Sequence, residues 1–116
     1  MHNYKKLNVW SDAVALAKQT YSLCKSLPND EKFGLISQMQ RASVSIASNI
    51  AEGAGRNSNK EFKQFLSFAA GSAHELETQV IIAGEVGFVQ SDQVSVITEE
   101  IDKILKKLYV LGKSLS

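Results

Sequence analysis

Apolar residues recur every three or four positions through four segments of this chain, with short polar breaks between them. In the first, Val9, Ala13, Leu16, Thr20, Leu23 and Leu27 fall on one face, which predicts a helix from about Val9 to Ser26, capped by Asn8 and ended by Pro28. The second aligns Ile36, Met39, Ser43, Ile46 and Ile50 and is expected to begin near Asn29 or Asp30, whose short polar side chains suit a helix N-terminus. The third is the longest. It runs from Ser58 to about Val86, with Phe62, Phe65, Leu66, Ala69, Ala73, Leu76, Val80 and Ala83 inward and Gly87 as its stop. Ser91 and Asp92 start the fourth, in which Val94, Ile97, Ile101, Ile104, Leu108 and Leu111 keep an unbroken three-four spacing. No segment alternates with period two for long enough to predict a strand.

Residues 43–62, SVSIASNIAEGAGRNSNKEF, encode a helix end and the next helix start. Gly53 and Gly55 are expected to supply the left-handed backbone that a helix C-terminus often takes. Ser58 followed by Glu61 reads as a capping box for the third helix. Short connections make consecutive helices antiparallel neighbours, so the expected fold is all-α: one up-down-up-down four-helix bundle over residues 1–116.

The apolar arcs are wider than one bundle core requires. Trp10, Val14, Ala17 and Tyr21 form a second stripe on the first helix. On the third, Phe68, Ile82 and Val86 project almost opposite Phe62 and Val80, beside the small Gly71. Contiguous extra stripes on a small domain mark subunit interfaces, so Trp10, Val14, Tyr21, Phe68, Ile82 and Val86 are candidate contacts between copies of this chain. Glu77 falls among Leu66, Ala70, Ala73 and Val80 on the same wheel. It is expected to be a buried polar residue that finds a structural partner, with Arg41, Asn49 or a serine on a neighbouring helix as candidates, or else to reach the bundle edge.

Composition narrows the function. The longest stretch without Lys, Arg, Asp or Glu is Gln64 to His74, too short to span a bilayer. Cys24 has no partner cysteine for a disulfide, which fits a reducing, cytoplasmic setting. The formal charge is +1, and residues 57–87 carry Lys60 and Lys63 against four glutamates. That total offers no large basic excess for phosphate contacts.

Nothing in the sequence assembles catalytic chemistry. A di-iron bundle needs Glu-x-x-His pairs, and the two histidines, His2 and His74, form none. Cys24 lies on the inner side of the first helix, where a small core residue is expected rather than a nucleophile. The AEGAGRNSNK turn lacks the Gly-Lys-Ser/Thr end of a phosphate-binding loop. An anion at the N-terminus of the third helix, between Arg56 and Lys60, is its one functional alternative. We therefore expect no enzyme activity, no metal and no cofactor.

Three stretches carry a resemblance. LNVW at Leu7–Trp10, the central SVSIASNIAEG followed by a basic turn and KEF, and HELETQV from His74 to Val80 occur in the order and spacing of a known family. The chain resembles the four-helix-bundle family encoded by intervening sequences of bacterial 23S ribosomal RNA genes, historically labelled ribosomal. One departure is Ala47, where that family commonly has proline. The resemblance implies a ring-like homopentamer. It also implies association with RNA or a ribonucleoprotein, because the family looks similar to the accessory variability proteins of diversity-generating retroelements, which assist a reverse transcriptase and bind nucleic acid through a basic ring. On this chain Arg41, Arg56, Lys60 and Lys63 are the positions for such contacts. A protein-binding scaffold without nucleic-acid contact is the alternative, and the low net charge favours it.

Overall fold

The computed structural model describes residues 1–115. Four helices carry the fold: α1 (Asn8–Cys24), α2 (Leu35–Ala54), α3 (Asn59–Glu85) and α4 (Ser91–Ser114). Each packs on the next in chain order and α1 closes against α4, giving an up-down-up-down bundle of 43 × 24 × 19 Å. No strand occurs among the described residues.

The three-four spacing translates directly into the core. Val9, Ala13, Leu16 and Leu23 of α1 meet Met39, Ile46 and Ile50 of α2, Phe62, Leu66, Leu76 and Val80 of α3, and Ile97, Ile101, Ile104 and Leu108 of α4. Ile36, Phe65, Val94 and Leu111 sit at its edge, half-buried. Two hydroxyls enter this core without leaving an orphan donor. Thr20 donates to the Leu16 carbonyl at 2.8 Å and Ser43 to the Gln40 carbonyl at 2.8 Å.

Helix ends depart from the sequence reading in three places. Asn8 is the first helical residue of α1 rather than its cap; Leu7 holds the cap position with extended backbone and no side-chain bond, and Asn3 instead caps a preceding 3-10 turn, Tyr4–Lys6. Asn29–Glu31 forms a 3-10 turn after Pro28, so α2 starts six residues later than Asn29, at Leu35. The Glu31 carboxylate accepts from the Leu35 amide at 3.0 Å and satisfies one of the new helix's free donors. α4 starts at Ser91, where the sequence puts it, with Gln90 in the cap position: the Gln90 amide donates to Gln93 Oε1 at 2.9 Å and Asp92 Oδ1 accepts from the Gln93 amide at 2.9 Å.

The third departure concerns the central turn. Neither Gly53 nor Gly55 adopts positive φ: α2 runs through Gly53, and Gly55 is right-handed at φ −83°. Gly53 is there for space. A Cβ on it would lie 2.6 Å from Phe65 Cβ and 3.0 Å from Phe62 Cδ1. Positive φ appears at Gly87, where the Phe88 amide reaches the Ala83 carbonyl at 2.9 Å and the Gly87 amide reaches that of Gly84 at 3.1 Å. Those two bonds are the Schellman ending of α3. At its other end Ser58 accepts from the Glu61 amide at 3.1 Å, as the capping pattern requires.

Candidate functional site

Because the helices alternate in direction, the N-termini of α1 and α3 and the C-termini of α2 and α4 share one end of the bundle. The chain ties that end together: the His2 amide donates to the Ala54 carbonyl at 2.8 Å, and the His2 ring stands 5.0 Å from Phe62. This topology sorts the charges. Eight cations lie in the half that holds this end: Lys5, Lys6, Arg56, Lys60, Lys63, Lys106, Lys107 and Lys113, against the carboxylates Asp12, Glu52 and Glu61. The opposite half holds the other nine of the twelve carboxylates and only five cations. Antiparallel helix dipoles largely cancel at each end, so the side chains set the field.

Of the four cations singled out from sequence, three meet here and one does not. Arg56, Lys60 and Lys63 cluster on the turn between α2 and α3 and the first turns of α3, all exposed. Arg41 is exposed on α2 but about 20 Å of helix away from Ala54, in the acidic half. Sequence reasoning missed Lys5, Lys6, Lys106, Lys107 and Lys113. Counting charge by segment hides them, since they come from the two chain ends; counting by helix end would have found them.

Aromatic rings are interleaved with these cations. Arg56 lies over the Phe65 ring at 4.6 Å while also pairing with Glu52 at 3.8 Å, and Phe65 meets Phe68 edge-on at 5.4 Å. Lys113 stands over Tyr109 at 5.3 Å and Lys5 over Tyr4 at 6.0 Å. Tyr4 in turn meets Trp10 edge-on at 5.2 Å. Lys107 crosses to Asp12, joining α4 to α1.

The candidate contact residues between copies are surface residues on two faces. Val14, Tyr21, Phe68, Ile82 and Val86 are 44–55% exposed. Trp10 is half-buried and packs on the core edge. Val44, on the adjoining α2, is exposed as well. These exposures are too large for core residues.

Of the two outcomes open to Glu77, the edge is the one observed, and the buried polar position on α3 falls to another residue. Glu77 is half-buried at the bundle edge rather than in the core, and the α3 residue that does go inside is Gln79, 7% exposed, whose Oε1 has no donor within reach. A rotation of about 200° between the two positions puts them on different flanks of α3, and the flank toward α2 is the deeper one. Asn49 is half-buried and bonds within α2: its Nδ2 donates to the Ser45 carbonyl at 2.9 Å and to Ser45 Oγ at 3.0 Å. Ser45 Oγ then bonds Ser72 Oγ across to α3 at 2.9 Å, a polar link that fixes the register of the two helices.

Cys24 is buried, and desolvation pushes its thiol above the ordinary value. His74 is exposed on α3. Among the described residues no group of three or more His, Cys, Asp or Glu is placed to hold a metal ion, and no helix is long and apolar enough to cross a membrane.

Residues 5–110 match the family model described as 23S rRNA-intervening sequence protein. The structure is similar to the crystal structure of a protein of unknown function from the S23 ribosomal protein family of Bacteroides thetaiotaomicron VPI-5482. The TM-score is 0.84 at 26% sequence identity, covering 90% of this chain and 98% of that one. No curated protein matches the sequence.

Proposed function

We propose that this chain, which belongs to the 23S rRNA-intervening sequence protein family, is a non-catalytic, self-associating helical bundle of the cytoplasm that engages RNA or a ribonucleoprotein through its basic end. The observation that carries this reading is the segregation of eight cations against three carboxylates in one half of the molecule. Net charge is the wrong measure for a body 43 Å long. Electrostatic screening at physiological salt acts over about 8 Å, so a polyanion at one end is insensitive to the carboxylates at the other. A charge of +1 for the whole chain is therefore compatible with several phosphate contacts at one end.

The exposed apolar stripes support the self-association part of this reading. In a ring of about five copies, the number the family resemblance implies, the basic ends on one rim would multiply a modest patch into an extended one. A scaffold that uses those stripes for protein contacts alone is the second reading, supported by the exposure of Val14 and Tyr21 on α1 and Val44 on the adjoining α2. Titration of labelled structured RNA at low and moderate salt separates them. Binding that weakens steeply with salt supports the first; no binding even at low salt supports the second.

A further inference from the structure

We propose that the groove between α3 and α4 is a subsite for a single unpaired nucleotide, so that the nucleic acid engaged by this protein is single-stranded at the point of contact; the inference rests on the RNA reading above. The groove has a volume of about 460 Å³ and an apolar floor made by Leu66, Leu105 and Leu108. That volume falls within the range of small-molecule sites. It opens in the basic half, and its rim carries Lys63, Lys113 and Tyr109.

Each wall supplies something a nucleotide needs. Tyr109 lines the groove and is 67% exposed, so its ring is spent neither on the core nor on a neighbouring helix; the Lys113 ammonium over it is the contact a stacking base would replace. Lys113, over that ring at 5.3 Å, has a flexible stem that lets its ammonium move aside for a base and meet the attached phosphate. Ser67 and His74 line the same groove and offer a hydroxyl and an imidazole to a base edge. Duplex RNA, whose bases are paired and stacked on one another, has none to insert. A second groove of equal volume, between the start of α1 and the end of α4, has Lys106 and Lys107 on its rim but no aromatic residue, so it offers a base no ring to stack on.

The test uses the whole protein, a short fluorescent oligouridylate, and the same strand annealed to oligoadenylate, with binding read by anisotropy. The single strand should bind about tenfold or more tighter than the duplex. Tyr109→Ala should remove that preference, weakening the single strand about tenfold and leaving the duplex unchanged. Tyr109→Phe, which keeps the stacking face, should retain it, and both variants should keep the wild-type helical circular dichroism. Equal affinity for the two probes, or a Tyr109→Ala variant that binds the single strand like wild type, overturns the subsite while leaving the basic-end reading intact. Failure of wild type to bind either probe at low salt overturns both.

Discussion

Gly53 of α2 faces Phe65 of α3 so closely that a Cβ on the glycine would come within 2.6 Å of the phenylalanine Cβ. The obstacle is the root of a side chain, which cannot swing aside; only separation of the two helices would relieve it. We expect Gly53→Ala to destabilise the fold by about 1–3 kcal/mol through overpacking, measured as a lower urea midpoint with unchanged slope. An unchanged midpoint would mean that α2 and α3 do not approach this closely.

Two other glycines of α3 and its end should respond in opposite directions. Gly87 has φ +85°, which costs an alanine about 1–2 kcal/mol, so Gly87→Ala should destabilise. Gly71 is exposed in mid-helix, and a methyl group added there would meet nothing within 4 Å, so Gly71→Ala should stabilise by about 0.5–1 kcal/mol through helix propensity. Thermal melts of the pair check both signs at once.

Helix identity and the core are legible in the sequence because periodicity is a property of many residues at once. Leu16, Met39, Leu76 and Ile101 sit where their spacing puts them, fully buried. Helix ends depend on single side chains and are less so. Glu31 can be recognised as the acceptor for Leu35 only once the chain is seen to break at Gly34. Gly53 misleads because sequence offers two uses for a glycine near a helix end, conformational freedom and lack of volume, and only the position of Phe65 decides between them. The candidate site is legible in part for a similar reason. Arg56, Lys60 and Lys63 are local in sequence, whereas Lys5 and Lys113 join them only through topology.

Gln79 tests the interior. Its Oε1 is enclosed with no donor, so the carbonyl is held out of water without a compensating bond. Gln79→Met, of similar length and without a hydrogen-bonding amide, should be neutral or stabilise by up to about 1 kcal/mol in chemical denaturation. A loss of more than about 1 kcal/mol would indicate a water or partner donor at that oxygen.

Phe68 tests self-association. It is 48% exposed, and its ring touches Phe65 on its own helix while the rest is open. If copies meet through this face, Phe68→Asp places a charge in the contact and should lower the association state in sedimentation equilibrium, with helical circular dichroism retained. The wild type should sediment well above its 12.7 kDa monomer mass. A wild-type monomer at tens of micromolar, the range of moderate protein affinities, would sink the interface reading.

The basic end makes a prediction that separates position from charge. Reversing Arg56 and Lys60 to glutamate removes two cations from the end where eight gather, and reversing Lys107 and Lys113 removes two from the same end by way of a different helix. Both pairs should weaken structured-RNA binding to a similar degree across sequences, and each lost phosphate contact should flatten the dependence of log affinity on log salt by about one. Arg41→Glu is the control. It changes net charge as each single reversal does, but it lies in the acidic half, about 20 Å along α2 and beyond the screening distance of about 8 Å at physiological salt. Its affinity and salt slope should match wild type. Equal losses from Arg41→Glu and from single reversals at the basic end would mean that the protein responds to overall charge alone, and the end would lose its claim to be the site.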